Sequence, residues 1–176
     1  MKAQLRDIAF CVGLGLLLPT VACTSRSAST VQLAGTWRLI SVSEEEEGQT
    51  GTWVKSNRST FGSHPVGYLM YDGAGHVCAQ LINTDRPKWK DNDVPTPEEA
   101  RVALNGFGGY CGRYELHESD GYVIHIPEAD VVPNEVGQRL RRDFTLRGNQ
   151  LVLQAIERRA TDGRLTKKVI VWERIK

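Results

Sequence analysis

The chain has 176 residues, enough for one domain of ordinary size and a short leader. Its 22 Lys and Arg against 21 Asp and Glu leave no positive field of the kind that draws a protein to nucleic acid. A composition of 40% hydrophobic and 24% charged residues is that of a folded globular protein and argues against disorder.

Lys2 and Arg6 precede an apolar run, Ile8 to Leu18, followed by Pro19, Thr20, Val21, Ala22 and Cys23. Charged residues, a short apolar stretch and small residues in that order describe a signal peptide over residues 1–22. The run is too short to span a bilayer, which takes about 20 apolar residues. Without Lys2, Arg6 and Asp7 the remaining chain carries 20 charges of each sign. The residues before Cys23 resemble the lipobox at which bacterial lipoproteins are cut and lipidated, although Thr20 stands where that pattern usually has Leu. The resemblance implies an envelope lipoprotein anchored through Cys23, with a soluble periplasmic or secreted protein as the alternative. Residues 23–32, small and polar, read as a tether.

From residue 33 to 176 the sequence becomes short runs of β-branched and aromatic residues separated by turn formers, the pattern of an all-β barrel or sandwich. The expected strands are Gly35–Ser43, Thr52–Lys55, Gly67–Tyr71, His76–Asn83, Tyr110–Glu118, Tyr122–Pro127, Gln138–Arg147, Gln150–Arg158 and Leu165–Ile175. The acidic run Glu44–Glu47 reads as a solvated loop after the first strand, without the ligand spacing of a calcium loop. Turn residues at Asp72–Gly75, Ser119–Gly121, Arg147–Asn149 and Thr161–Gly163 predict four hairpins, hence antiparallel neighbours. Thr96-Pro97-Glu98-Glu99 supplies an N-cap, a first-turn proline and early acids, which predicts one short helix at about residues 97–105, ended by Asn105 and Gly106.

Cys11 falls in the leader and Cys23 at the lipidation position, leaving Cys78 and Cys111 in the domain. One disulfide or two buried thiols would fit, and the reading taken is two thiols.

Gly35-Thr36-Trp37 at the first strand matches the GxW signature of the lipocalin superfamily. With Gly67-Tyr68-Leu69-Met70-Tyr71-Asp72, Gly109-Tyr110-Cys111-Gly112-Arg113-Tyr114-Glu115 and Trp172-Glu173-Arg174, the chain resembles the bacterial and fungal lipocalin-like domain family from about Leu33 onward. The resemblance implies a closed or nearly closed antiparallel barrel of about eight strands. It also implies that Trp37 packs beneath Arg174 where the two ends of the chain meet, a structural pair worth about 0.5–2 kcal/mol as a cation–π contact.

A barrel of this size is either filled by side chains or holds one small ligand. Tyr68, Tyr114, His125 and Arg142 are the expected ligand-binding residues, Arg142 needing a carboxylate such as Glu115 or an anionic ligand. The favoured reading is a carrier of a small hydrophobic or amphipathic molecule. A cyclase or isomerase using His125 or Glu115 as acid or base, and a filled barrel acting as an interaction module, are the alternatives. No nucleophile elbow, phosphate loop, metal-binding or cofactor motif occurs, so no metal and no cofactor are expected.

Overall fold

The computed structural model describes residues 33–48, 51–56, 60–159 and 162–175. The signal peptide, Cys23 and the tether lie outside these residues. Among the described residues, nine strands form one antiparallel sheet: β1 Gly35–Glu47, β2 Trp53–Lys55, β3 Val66–Tyr71, β4 His76–Ile82, β5 Phe107–His117, β6 Tyr122–Asp130, β7 Leu140–Arg147, β8 Gln150–Arg158 and β9 Leu165–Arg174.

Eight strands, β1 and β3 to β9, pair in order, and β9 pairs back onto β1 from Trp37↔Arg174 to Glu46↔Thr166, which closes the barrel. Closure removes the unpaired edges that an open sheet would present to other chains. β1 is long enough to serve two partners on its other side: Gly35 to Arg38 pair with β3, and Glu45 to Glu47 pair with β2.

The acidic run is therefore not a loop. Glu44 to Glu46 continue the ladder opposite Lys168, Lys167 and Thr166. Glu45 forms an ion pair with Lys167, and Glu46 with Arg159 at 3.1 Å. Opposite charges facing across a ladder remove the repulsion that makes four acids in a row read as a loop.

The other boundaries differ at strand ends. β5 starts at Phe107, ahead of the expected Tyr110, because Phe107 to Gly109 pair with Ile82 to Gln80 of β4. β7 starts at Leu140, after a short 3₁₀ turn at Pro133–Glu135 and Gly137 at φ 77°. All four expected turn sites join adjacent antiparallel strands. Helix α1, Pro97–Asn105, carries the capping box its sequence promised: Thr96 Oγ1 accepts from Glu99 N, and the Glu99 carboxylate accepts from Thr96 N at 2.8 Å. It forms the last part of the long β4–β5 connection and has no buried residue of its own.

Cys78 and Cys111 are joined, not separate thiols. They face each other in the β4–β5 register with Cα atoms 4.1 Å apart, a separation the bridge requires to be short. Cys78 alternates with buried Val77 and Ala79, so the bridge lies on the outer wall.

Two bulges control which side chains enter the barrel. Along β1, Leu39 faces Trp172 while Ser41 faces Val171, so Ile40 is the extra residue and the inward phase passes from Trp37 and Leu39 to Val42. Along β6, Cys111 faces Ala129 while Gly112 faces Pro127, which makes Glu128 extra. Inward positions thus run Val123, His125, Pro127 and then Asp130 opposite Tyr110, where unbroken alternation would have turned Asp130 outward. Gly112 permits the second bulge, because a Cβ there would lie on the Ile126 carbonyl.

Candidate functional site

The barrel interior has a filled end, a polar middle and a hollow end. At the filled end Trp37 is fully buried, and its Nε1 donates to Leu33 O at 3.0 Å. The Arg174 guanidinium lies 4.0 Å above the indole and donates to Ala34 O at 2.6 Å. Gly35, at φ 138°, leaves the space that Arg174 occupies: a Cβ there would come within 2.5 Å of Nη1. The glycine and tryptophan of the signature are thus parts of one contact. Leu33, Leu69, Val77, Leu151 and Trp172 pack around it.

In the middle, His125 is fully buried between two phenols. Tyr71 Oη lies 2.6 Å from Nε2 and Tyr110 Oη 2.6 Å from Nδ1. A neutral imidazole has one N–H and one lone pair, so one tyrosine donates to the ring and the other accepts from it. Burial, reinforced by Arg142, holds the His125 pKa down to about 3, which keeps the ring neutral near neutral pH. Burial pushes Tyr110 up to about 12 and raises Tyr71 as well. The three groups form a proton-sharing chain that fixes the Tyr110 ring. Tyr114 packs edge-on against Tyr71 with centroids 4.9 Å apart and donates to Asp72 O at 3.0 Å.

Beyond Tyr110 lies a cavity of about 240 Å³. One wall is apolar, formed by Val42, Phe61, Leu69, Leu81, Leu153 and Ile170. Tyr110, Asp130, Glu135, Arg142, Glu157 and Lys168 supply polar groups, and exposed Thr60 and Val132 mark its mouth. Arg142 and Lys168 both approach Glu157, at 3.5 and 3.7 Å. Burial raises the Glu135 pKa, with Asp130 and Glu157 adding to the effect. Asp130 Oδ1 accepts from Val132 N at 2.7 Å. Its Oδ2 and the Nε1 of Trp172 are buried without a partner, and both residues line the cavity. Each such atom costs roughly 1–3 kcal/mol.

Of the residues singled out from the sequence, Arg142 reaches the cavity, its side chain only 13% exposed, and its carboxylate is Glu157 instead of Glu115. His125 stands behind Tyr110 and is absent from the cavity wall. Tyr114 is likewise in the packed middle. Tyr68 points out of the barrel, because the buried phase of β3 is Gly67, Leu69 and Tyr71. Glu115 is on the outer wall, held by Arg139 at 2.5 and 2.9 Å, where it faces solvent and no substrate cavity. Among the described residues no cluster of His, Cys, Asp or Glu has the arrangement to hold a metal ion.

Sequence reasoning missed Tyr71, Asp130, Glu157 and Trp172. Tyr71 lies three positions from Tyr68 and therefore on the opposite, inward face of β3, and Glu157 continues the inward phase of Leu151, Leu153 and Ala155 on β8. Asp130 had no such signal, since only the bulge at Glu128 turns it inward.

No curated protein matches the chain. The family model of the lipocalin-like domain matches residues 34–175, the whole of the barrel from Gly35 to Arg174. With a closed eight-stranded barrel, a GxW strand packed under the last-strand arginine and a hollow interior end, the chain belongs to the lipocalin-like domain family.

Proposed function

We propose that this protein binds and carries a small amphipathic molecule inside the barrel, at the bacterial cell envelope. The observation that carries the reading is the cavity beyond Tyr110, apolar on one side and lined on the other by Tyr110, Asp130, Glu135, Arg142, Glu157 and Lys168. Its volume of about 240 Å³ lies just below the usual range of about 300–1,000 Å³ for ligand sites, which favours a compact ligand over a long lipid. The acid–base alternative is disfavoured by position: Glu115 is outside, and His125, with its pKa at about 3, is poorly matched to proton transfer near neutrality.

A native mass spectrum of the purified domain, with a Nile red titration, tests the binding. One ligand or one dye per barrel is the expected result. A barrel that takes up neither would overturn it.

The envelope placement rests on the leader and on Cys23. Intact mass of the protein recovered from a bacterial host should show a chain starting at Cys23 and carrying acyl groups, and Cys23→Ser should release it from the membrane. A chain retaining Met1 in the soluble cell interior would contradict that placement.

A further inference from the structure

The outside of the barrel is divided in two. Along β5, β6 and the start of β7 the outward side chains are charged and pair with one another: Arg113 with Glu128, Glu115 with Arg139, and Arg141 with Asp143. The other five strands differ. Val66 of β3 faces Ile82 of β4, and Val171 of β9 faces Val152 of β8. Ile40, put out of β1 by its bulge, stands between these two pairs. Ser41 beside it faces Val171, and Leu39 on its other side comes within 3.3 Å of where a Gly67 Cβ would lie, next to Val66. Five apolar side chains thus form one row across β4, β3, β1, β9 and β8, which are neighbours in the barrel. Tyr68 and Met70 extend the row towards the closed end, and Val169 and Ile156 towards the hollow one. Ile40, Val66, Tyr68, Met70 and Ile156 are 43–54% exposed.

A contiguous apolar wall of this kind marks a surface that another body covers. Closure leaves its eight strands without a free edge, so the covering body meets side chains and does not add a strand. The charges on the wall say what that body is. Arg38 and Glu173 face each other in the β1–β9 ladder beside Tyr68, paired at 3.0 Å with both side chains exposed. Lys167, further along β9, is paired with Glu45. The wall therefore carries equal numbers of each sign. An anionic bilayer or a nucleic acid would call for an excess of basic residues around the apolar row. A two-fold axis through the wall would instead set each Arg38 against Glu173 of the other copy, which makes the surface complementary to itself. Five strands about 4.8 Å apart and some nine residues of length give a wall of about 20 by 30 Å. With its polar rim that approaches the roughly 800 Å² per partner of a specific dimer.

We propose that this wall is the interface of a homodimer, with two barrels packed through β3, β1 and β9 and Ile40 near the centre. The mouth of the cavity, at Thr60 and Val132, belongs to other segments, so both barrels of the pair stay open.

Analytical ultracentrifugation of the mature chain, kept free of lipid by Cys23→Ser, tests this. At micromolar concentration the native surface should sediment with twice the mass of one chain. Ile40→Asp and Val66→Asp alter exposed side chains, so each should keep the native circular dichroism spectrum and weaken the dimer at least tenfold. Arg38→Glu should weaken it as well, and adding Glu173→Arg should restore it, a recovery that damage to the fold would not show. Arg139→Glu, on the charged side, should leave the dimer unchanged.

A native chain that stays monomeric at the highest soluble concentration would overturn the proposal, as would a dimer that Ile40→Asp leaves intact. A monomer that co-sediments with phosphatidylethanolamine–phosphatidylglycerol vesicles, and no longer does so as Ile40→Asp, would also overturn it and assign the wall to a membrane.

Discussion

A single buried imidazole gives this barrel a pH dependence that its near-neutral net charge would not foretell. His125 is held neutral down to about pH 3, whereas an unfolded histidine takes up a proton near 6.5. Below about pH 6.5 the unfolded chain therefore binds a proton that the folded chain refuses, and stability falls as pH falls towards 3. The slope should be about 1.4 kcal/mol per pH unit from this residue, and urea unfolding of His125→Gln should show a shallower fall over the same range. Equal slopes would remove His125 as the source. At the closed end, Arg174→Ala should lower stability by about 1–3 kcal/mol in urea unfolding, through the loss of the contact with Trp37 and of a donor to the Ala34 carbonyl. The sequence pointed to both residues, His125 as an expected ligand-binding residue and Arg174 from the family signature. It could not supply the two phenols on His125, because Tyr71 comes from a strand 54 positions away in the chain.

At the scale of the element, the bulges matter more than the strands. Gly112→Ala places a Cβ against the Ile126 carbonyl and should force the β5–β6 pairing to shift, turning Asp130 away from the cavity. Ligand or dye affinity should drop while the far-ultraviolet circular dichroism spectrum keeps its β character. Unaltered affinity would mean that the bulge does not depend on this glycine. The cross-strand bridge can be tested apart from the cavity: it closes a 33-residue separation, and replacing Cys78 and Cys111 together by Ala should cost about 2–4 kcal/mol with binding intact. Helix α1 was legible because its capping residues act within four positions of one another. The Cys78–Cys111 register was not, because it depends on how a long connection returns β5 to β4. The same distinction explains Glu44 to Glu47, whose strand conformation is supported by Lys167 and Lys168 on the last strand and by Arg159.

For the whole molecule, closure and cavity arise from one alternation pattern. Hairpins and apolar periodicity made the barrel readable, and the GxW strand with the last-strand arginine made its closed end readable. The interior was less so: a two-residue period fixes faces only while it runs unbroken, and bulges at Ile40 and Glu128 shift it at the cavity. That phase also supplies the most direct test of the account, because neighbouring residues of β8 face opposite ways. Ala155 is 4% exposed and lines the cavity, whereas Ile156 is 54% exposed on the outside. Nile red titration should show one site in the native domain, loss of that site in Ala155→Trp, and full retention in Ile156→Trp, with all three folded by circular dichroism. Undiminished binding in a folded Ala155→Trp barrel would contradict the claim that the ligand sits inside it.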